Sequence, residues 1–192
     1  MDMNAAIAIR DAVAADLPGL AACRYAERPA IHRDRLRDAG EGNARLLVAE
    51  QAGAIVAFGL LVFRRPPGSP GAGRTDRLPQ VIDLYVAEGR RGQGIGTAIL
   101  RRMERIAAHA GGVELHLSVD PVENPRARDW YARLGFRPLQ TEPYPDHWQF
   151  ADSEGQWHEG HGWAIDMVKW LRRGRAAVSA QELRRAEEGD VS

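Results

Sequence analysis

An α/β fold built on one sheet is predicted for this chain of 192 residues. Three observations predict it. Apolar runs of strand length alternate with amphipathic runs of helix length. One strand-to-helix junction carries a glycine-rich turn, Gly92-Gln93-Gly94-Ile95-Gly96. The length fits a single domain with room for a substantial core.

Residues 7–10 read as a short strand. Residues 11–30 show helical spacing, with Val13, Leu17, Leu20 and Cys23 (or Arg24 at the margin) on one stripe. Asp11 or Asp16 is the candidate cap of that helix, and Pro29 its stop. Residues 31–43 form a polar, arginine-rich connection with some helical character. Residues 45–50 and 54–64 flank Gln51-Ala52-Gly53 and predict a β-hairpin. Residues 65–79 hold three Pro and three Gly between Pro66 and Gly73, a composition that predicts a flexible loop.

Residues 80–86 predict a strand, and residues 98–110 a helix that Gly111-Gly112 stops. Residues 113–119 alternate as a buried strand. A helix over 124–134 is opened by Pro125 and closed by Gly135, and residues 136–139 begin another strand. Residues 144–162 are unusual: Tyr144, Trp148, Phe150, Trp157 and three of the six histidines mix with Asp146, Asp152, Glu154 and Glu159. Residues 166–171 form a last strand. One domain over 1–171 is expected, followed by a charged tail over 172–192 with a short capped helix at 179–188.

Lys and Arg number 26 against 26 Asp and Glu, so the total charge points to neither nucleic acid nor an anionic membrane. Basic residues cluster locally in 90–105, which suits an anionic ligand, and in 172–175, which reads as solvated tail. Cys23 is the single cysteine, which excludes an intrachain disulfide and reads as a buried, inert thiol. Asp2 stands where a signal peptide would carry basic residues, and the longest apolar run, 54–63, is about half a membrane span. A cytoplasmic location is expected.

The turn Arg90-Arg91-Gly92-Gln93-Gly94-Ile95-Gly96-Thr97 joins the strand 81–86 to the helix behind it. Glycines at alternate positions let backbone approach a ligand closely. The helix start offers free N–H groups and the positive end of a dipole. Two arginines add charge and forked donors. Together these make a pyrophosphate cradle. It is not a Walker loop, because no Gly-Lys-Ser/Thr triplet follows. Nor does it fit the dinucleotide fingerprint, whose third glycine falls on Thr97 or Ile99.

Two motifs resemble the GNAT superfamily of acyl-CoA-dependent N-acyltransferases. The first is Leu84-Tyr85-Val86 followed by Arg91-x-x-Gly94-x-Gly96, similar to the family's Arg/Gln-x-x-Gly-x-Gly/Ala signature. The second is Asn124-x-x-Ala127-x-x-x-Tyr131-x-x-x-Gly135-Phe136, and Asp166-Met167-Val168-Lys169-Trp170-Leu171 is similar to the closing strand. The likeness covers most of residues 7–171. It implies a bent mixed β-sheet of six or seven strands flanked by helices, with strands 81–86 and 113–119 splaying apart at one end.

The resemblance implies acetyl-CoA as cosubstrate and no metal. Main-chain groups of Leu84, Tyr85 and Val86 would bond the pantetheine arm. Backbone N–H groups of Arg91, Gly92, Gln93, Gly94, Ile95, Gly96 and Thr97 would bind the pyrophosphate, and Asn124 would contact the arm near the sulfur. Tyr131 is the expected acid at the thiolate. Asp83 is the candidate base, although it could equally bind the amine or pair with an arginine; this chain has Ile82 where many relatives carry a first acid. His116 and Asp120 are weaker alternatives.

The chemistry implied is attack by a neutral amine on a thioester. An alkyl amine with a pKa near about 10.4 must lose a proton, and a thiolate with a pKa of about 8.5 gains from a donor. A backbone N–H near Val86 could polarise the carbonyl. Direct transfer in a ternary complex is expected, with a small primary amine favoured as acceptor. A protein or peptide acceptor is the alternative within that chemistry. A non-catalytic acyl-CoA sensor and a nucleotide-binding module are the alternatives of other classes. His158-x-x-His161, in an expected loop without cysteine, reads as solvated or substrate-contact histidines rather than a metal site. The aromatics of 144–162 would form either a small extra core or a lid over the acceptor site. Neither nucleic acid nor membrane is an expected partner, and a homodimer is left open.

Overall fold

Alternation along residues 44–62 gives the sheet its two faces. Strands β2 (Ala44–Gln51) and β3 (Ala54–Val62) pair antiparallel, and Leu46 and Val48 point to one face while Leu47 and Ala49 point to the other. The turn between them places Ala52 at φ +51° and Gly53 at φ +77°, two left-handed residues that match the twist of a tight hairpin. The computed structural model describes residues 6–64 and 78–171, so most of the expected loop and the whole expected tail lie outside the described residues.

The remaining strands are β1 (Ala8–Asp11), β4 (Gln80–Val86), β5 (Glu114–Val119), β6 (Arg137–Pro138), β7 (Tyr144–Ala151) and β8 (Trp157–Trp170). They run in the order β1-β2-β3-β4-β5-β8-β6, with β7 paired to β8 off that path. Among the described residues only β4 and β5 are parallel; every other pair is antiparallel. The mixed sheet expected from the sequence is therefore present, with seven strands along the path.

Helix α3 (Ile95–His109) carries a strongly amphipathic stripe whose Ile95, Ile99, Leu100, Met103 and Ala107 are buried. They pack with Leu47, Leu61, Leu115, Leu117, Phe136 and Met167 in the larger core. Gly59 makes this contact close, since a Cβ there would stand 2.5 Å from the Met103 methyl. Helix α4 (Pro125–Arg133) adds Ala127, Trp130 and Tyr131 to the same cluster. The opposite face holds a smaller core of Leu20, Leu46, Val48, Phe58 and Leu60 beneath α1 (Leu17–Cys23) and α2 (Pro29–Gly40).

The first helix departs from expectation. The run 11–30 is broken after Cys23, Tyr25 adopts a left-handed φ of +67°, and Pro29 opens α2 instead of ending α1. Proline fits the first turn of a helix because its missing N–H would have no partner there anyway. Buried His32 of α2 bonds the Arg24 carbonyl at 2.9 Å and fixes the break. Residues 31–43, read as a connection, are thus mostly helix.

Candidate active site

Strands β4 and β5 register at only two positions, Gln80↔His116 and Val81↔Leu117. Beyond Val81 the ladder to β5 stops, while β3 continues to pair with Leu84, Tyr85 and Val86. This is the splay that the family resemblance implies. A bulge lies beside it: Leu60↔Asp83 is followed by Leu61↔Val81, so Ile82 is the extra residue. Past the bulge, Leu84 and Val86 pack with the α3 core, whereas Tyr85 joins the α1–α2 side.

The glycine-rich turn follows at the open end. Gly92 and Gly94 both have φ +78°, and a Cβ on either would meet open space. Gly94 caps α3 without any side-chain bond, and the first helical bond is donated by Ala98 to Gly94. Among the described residues, the N–H groups of Gly92, Gln93, Gly94, Ile95, Gly96 and Thr97 donate to no protein acceptor. A row of free donors at a helix start, with no side chain over it, fits a diphosphate. Gly96 lies beside Val86 and the Trp130 ring of α4, which a Cβ there would meet at 3.5 and 3.6 Å, ordinary contact distance.

The arginine beside the turn is already engaged. Arg91 donates from Nε to the Val86 carbonyl at 3.0 Å, so its fork is partly turned to the strand end rather than to a ligand. Its backbone N–H donates to the Glu88 carbonyl at 3.2 Å, so Arg91 does not join the row of free donors. Asn124 is exposed at the entrance of α4, where its carbonyl accepts from Ala127 and Arg128.

Tyr131 projects from α4 against Trp130 and Phe136, with ring centroids 4.7 and 5.6 Å away. Burial, and secondarily the negative charge of Asp83, push its phenol well above the ordinary value. The hydroxyl therefore stays protonated at neutral pH and is available as a hydrogen-bond donor. Asp83 is thus near enough to Tyr131 to act on it electrostatically.

Asp83 is held by three donors: Arg35 Nη2 at 3.0 Å, the Tyr25 hydroxyl at 3.1 Å and Arg24 Nη1 at 3.4 Å. Its side chain is 11% exposed. Of the alternatives left open by the sequence, pairing with an arginine is the one present. The left-handed break at Tyr25 makes it possible, because it turns Arg24 and Tyr25 over β4. The sequence concealed this group: a continuous helical stripe gave Arg24 only a marginal position, and Arg35 looked like surface charge.

His116 is buried and bonded through Nε2 to Glu114 at 3.0 Å. Asp120 accepts backbone N–H bonds from Val122, Glu123 and Trp163 at 2.8–3.1 Å. Burial opposes ionisation of Asp120, but these bonds outweigh it and hold its carboxyl below the ordinary value. Gly162 permits the contact, since a Cβ there would lie 2.8 Å from Asp120 Oδ2.

One acidic residue was read from the sequence only as part of the closing strand. Asp166, buried in β8, accepts from Ser118 at 2.5 Å and from the Tyr144 hydroxyl at 2.9 Å. A lone acid inside an apolar closing strand was the available signal. Asp146 faces the same region, and its carboxyl is raised by burial, then by the charges of Asp166 and Asp120.

The segment 144–162 is a hairpin rather than a loop, β7 pairing β8 from Tyr144↔Ala164 to Ala151↔Trp157. Tyr144, Asp146, Trp148 and Phe150 lie on its inner face, and Trp148 sits over Gly160. Its tip reaches α2, where Arg33 pairs with Glu154 and Ser153 N donates to Asp34 at 3.0 Å. His158 and His161 point to opposite faces: His158 is buried on Asp152 at 2.8 Å and His161 is exposed.

Cys23 lies half-buried in α1, its thiol pushed up to about 11, chiefly by burial. Little thiolate is present at neutral pH, which disfavours a covalent role.

A family model described as Acetyltransferase (GNAT) family matches residues 9–136. Thialysine N-epsilon-acetyltransferase of Bos taurus is 32% identical over 127 residues, 60% of this chain and 71% of that protein. The PaiA N-acetyltransferase of Thermoplasma acidophilum, solved in complex with coenzyme A, has a TM-score of 0.61 at 17% identity, covering 86% of this chain and 99% of that one. Ard1 of Thermoplasma volcanium has a TM-score of 0.62 at 18% identity, over 87% and 99% of the two chains. At such identities the structural likeness concerns the fold. With the family match over residues 9–136, the splayed strands and the open turn, this chain belongs to the GNAT acetyltransferase family, the acyl-CoA-dependent N-acetyltransferases.

Proposed function

We propose that the chain transfers an acetyl group from acetyl-CoA to the primary amine of a small cationic acceptor, by direct attack in a ternary complex. The observation that carries this reading is the row of unengaged N–H groups between Gly92 and Thr97 beside the unladdered end of β4. When bound, acetyl-CoA supplies the activated acyl group. The N–H groups of Gly92, Gln93, Gly94, Ile95, Gly96 and Thr97 would hold its diphosphate, with Arg91 bracing the turn through its side chain. Main-chain groups of Leu84, Tyr85 and Val86 would hold its arm, and Asn124 the region near the sulfur.

Tyr131 donates a hydrogen bond to the departing sulfur. Complete proton transfer from so high a phenol to a thiolate near about 8.5 is uphill, so its contribution is stabilisation as charge develops. Asp83 is the carboxylate coupled to Tyr131, but two guanidiniums compete with any ammonium for its oxygens. A role in fixing Arg24, Tyr25 and Arg35 fits that geometry better than direct proton abstraction, and water leading to Asp83 is the remaining route for the amine's proton.

Two features support a small cationic acceptor. Burial, then the charges of Asp166 and Asp120, raise the Asp146 carboxyl, and a cation there would relieve that repulsion. The contact of the hairpin tip with α2 narrows the approach for a folded polypeptide. The name of the bovine relative, a transferase acting on the ε-amine of thialysine, agrees. A cytoplasmic location belongs to the same proposal; no described helix is long and apolar enough to cross a membrane.

A thiol-release assay with acetyl-CoA over diamines, amino acids and peptide N-termini tests this. Release with small cationic amines is expected. Release with peptides alone moves the acceptor to protein, and binding of acetyl-CoA without release from any amine makes the chain a sensor.

A further inference from the structure

We propose that His147, Glu159 and His161, on the outer face of the β7–β8 hairpin, form a binding site for one borderline divalent transition-metal ion of the Zn2+ class. His147 and His161 are direct cross-strand partners, and Glu159 lies two residues before His161 on the same face. One donor atom from each falls within 4.8 Å of the others.

The two imidazoles stack with centroids 4.2 Å apart and planes within 3°. The stack places the two rings side by side on one face of the hairpin, each with a ring nitrogen available to a shared ion. Among the described residues, none of the three side chains has a hydrogen bond or ion pair to another protein group. His158 differs: it is buried and committed to Asp152. The three exposed side chains are thus free to reorient. A tetrahedral ion with ligands at about 2.0–2.2 Å needs donor separations of roughly 3.4 Å. Rotation of exposed side chains covers the difference without moving backbone.

Two nitrogens and one carboxylate oxygen suit Zn2+, Ni2+ or Cu2+ over Mg2+ or Ca2+, which prefer all-oxygen sets. The fourth position opens to solvent. The site lies on the face opposite Asp146 and Trp148, so its ion takes no part in acyl transfer. Its effect is to clamp β7 to β8 midway along the hairpin.

The test uses the full, tag-free chain, stripped with a chelator and dialysed. Calorimetric titration with ZnCl2 should show one equivalent bound, and MgCl2 no binding. His161→Ala and His147→Ala should each weaken Zn2+ binding at least about tenfold, since even removing a group that merely supports a ligand costs that much. Zn2+ should also slow amide hydrogen exchange across residues 144–163 in the parent chain and not in the variants. His161→Gln repeats the measurement should the alanine variant lose its circular dichroism signature. Zn2+ affinity unchanged in His147→Ala/His161→Ala, or no uptake by the parent chain, overturns the site.

Discussion

Arg91 Nε donates to the main-chain carbonyl of Val86 at 3.0 Å, tying the glycine turn to the end of the splayed strand. The bond joins the two parts of the proposed cofactor site, and it turns the guanidinium fork partly toward the strand end. Arg91→Ala should therefore weaken coenzyme A binding about three- to tenfold by calorimetry, through loosening of the turn. A loss of a thousandfold would mean that the guanidinium itself grips the phosphate.

Gly94→Val places a β-branched residue at φ +78° and puts its side chain where the free N–H groups open. Strain should cost about 1–3 kcal/mol in urea unfolding. Coenzyme A binding should fall at least about a hundredfold, and an unchanged affinity would remove the turn from the site.

Tyr131→Phe keeps the ring packing on Trp130 and Phe136 and deletes only the hydroxyl. The turnover number should drop about 10–1000-fold, the range for one lost transition-state donor, while acetyl-CoA affinity stays within about threefold. Steady-state kinetics beside calorimetry separates the two effects.

Asp83→Asn leaves Arg35, 14% exposed, without its opposite charge. The expected cost is about 2 kcal/mol by urea unfolding, below the 3–5 of fully buried pairs because Arg24 reaches solvent. If Asp83 chiefly positions Arg24 and Tyr25, activity at a fixed pH should fall less than about a hundredfold; a larger fall with the fold intact would restore it as the base.

Asp16 has its carboxyl held below the ordinary value, first by the Arg10 hydrogen bonds at 2.6 and 2.8 Å, against burial. A depressed folded value stabilises the fold above the unfolded value of about 3.9 and loses that contribution as pH falls through the folded one. Asp16→Asn should flatten the acid limb of stability below about pH 4, seen by thermal melting across pH. An unchanged acid limb would show that other carboxylates set it.

Local patterns determined strands β1 to β6, the β2–β3 hairpin, helices α3 and α4, and the glycine turn, because each depends on residues near in sequence, whereas the β7–β8 hairpin was not legible. Period-two and period-3.6 apolarity, and glycines that must take positive φ, act over a few residues. The motif at 91–96 likewise marked a turn that opens a helix, since Gly92 and Gly94 take positive φ locally. Tertiary structure decided the rest. Pro29 is compatible with a helix end or a helix start, and the packing of His32 and Leu20 chose the start. Asp83 met Arg24 and Arg35 from 59 and 48 residues away, and Asp166 met Ser118 across 48. Register put His147 against His161 and turned His158 away from both. Such partnerships join groups far apart in the chain, and no local pattern encodes them.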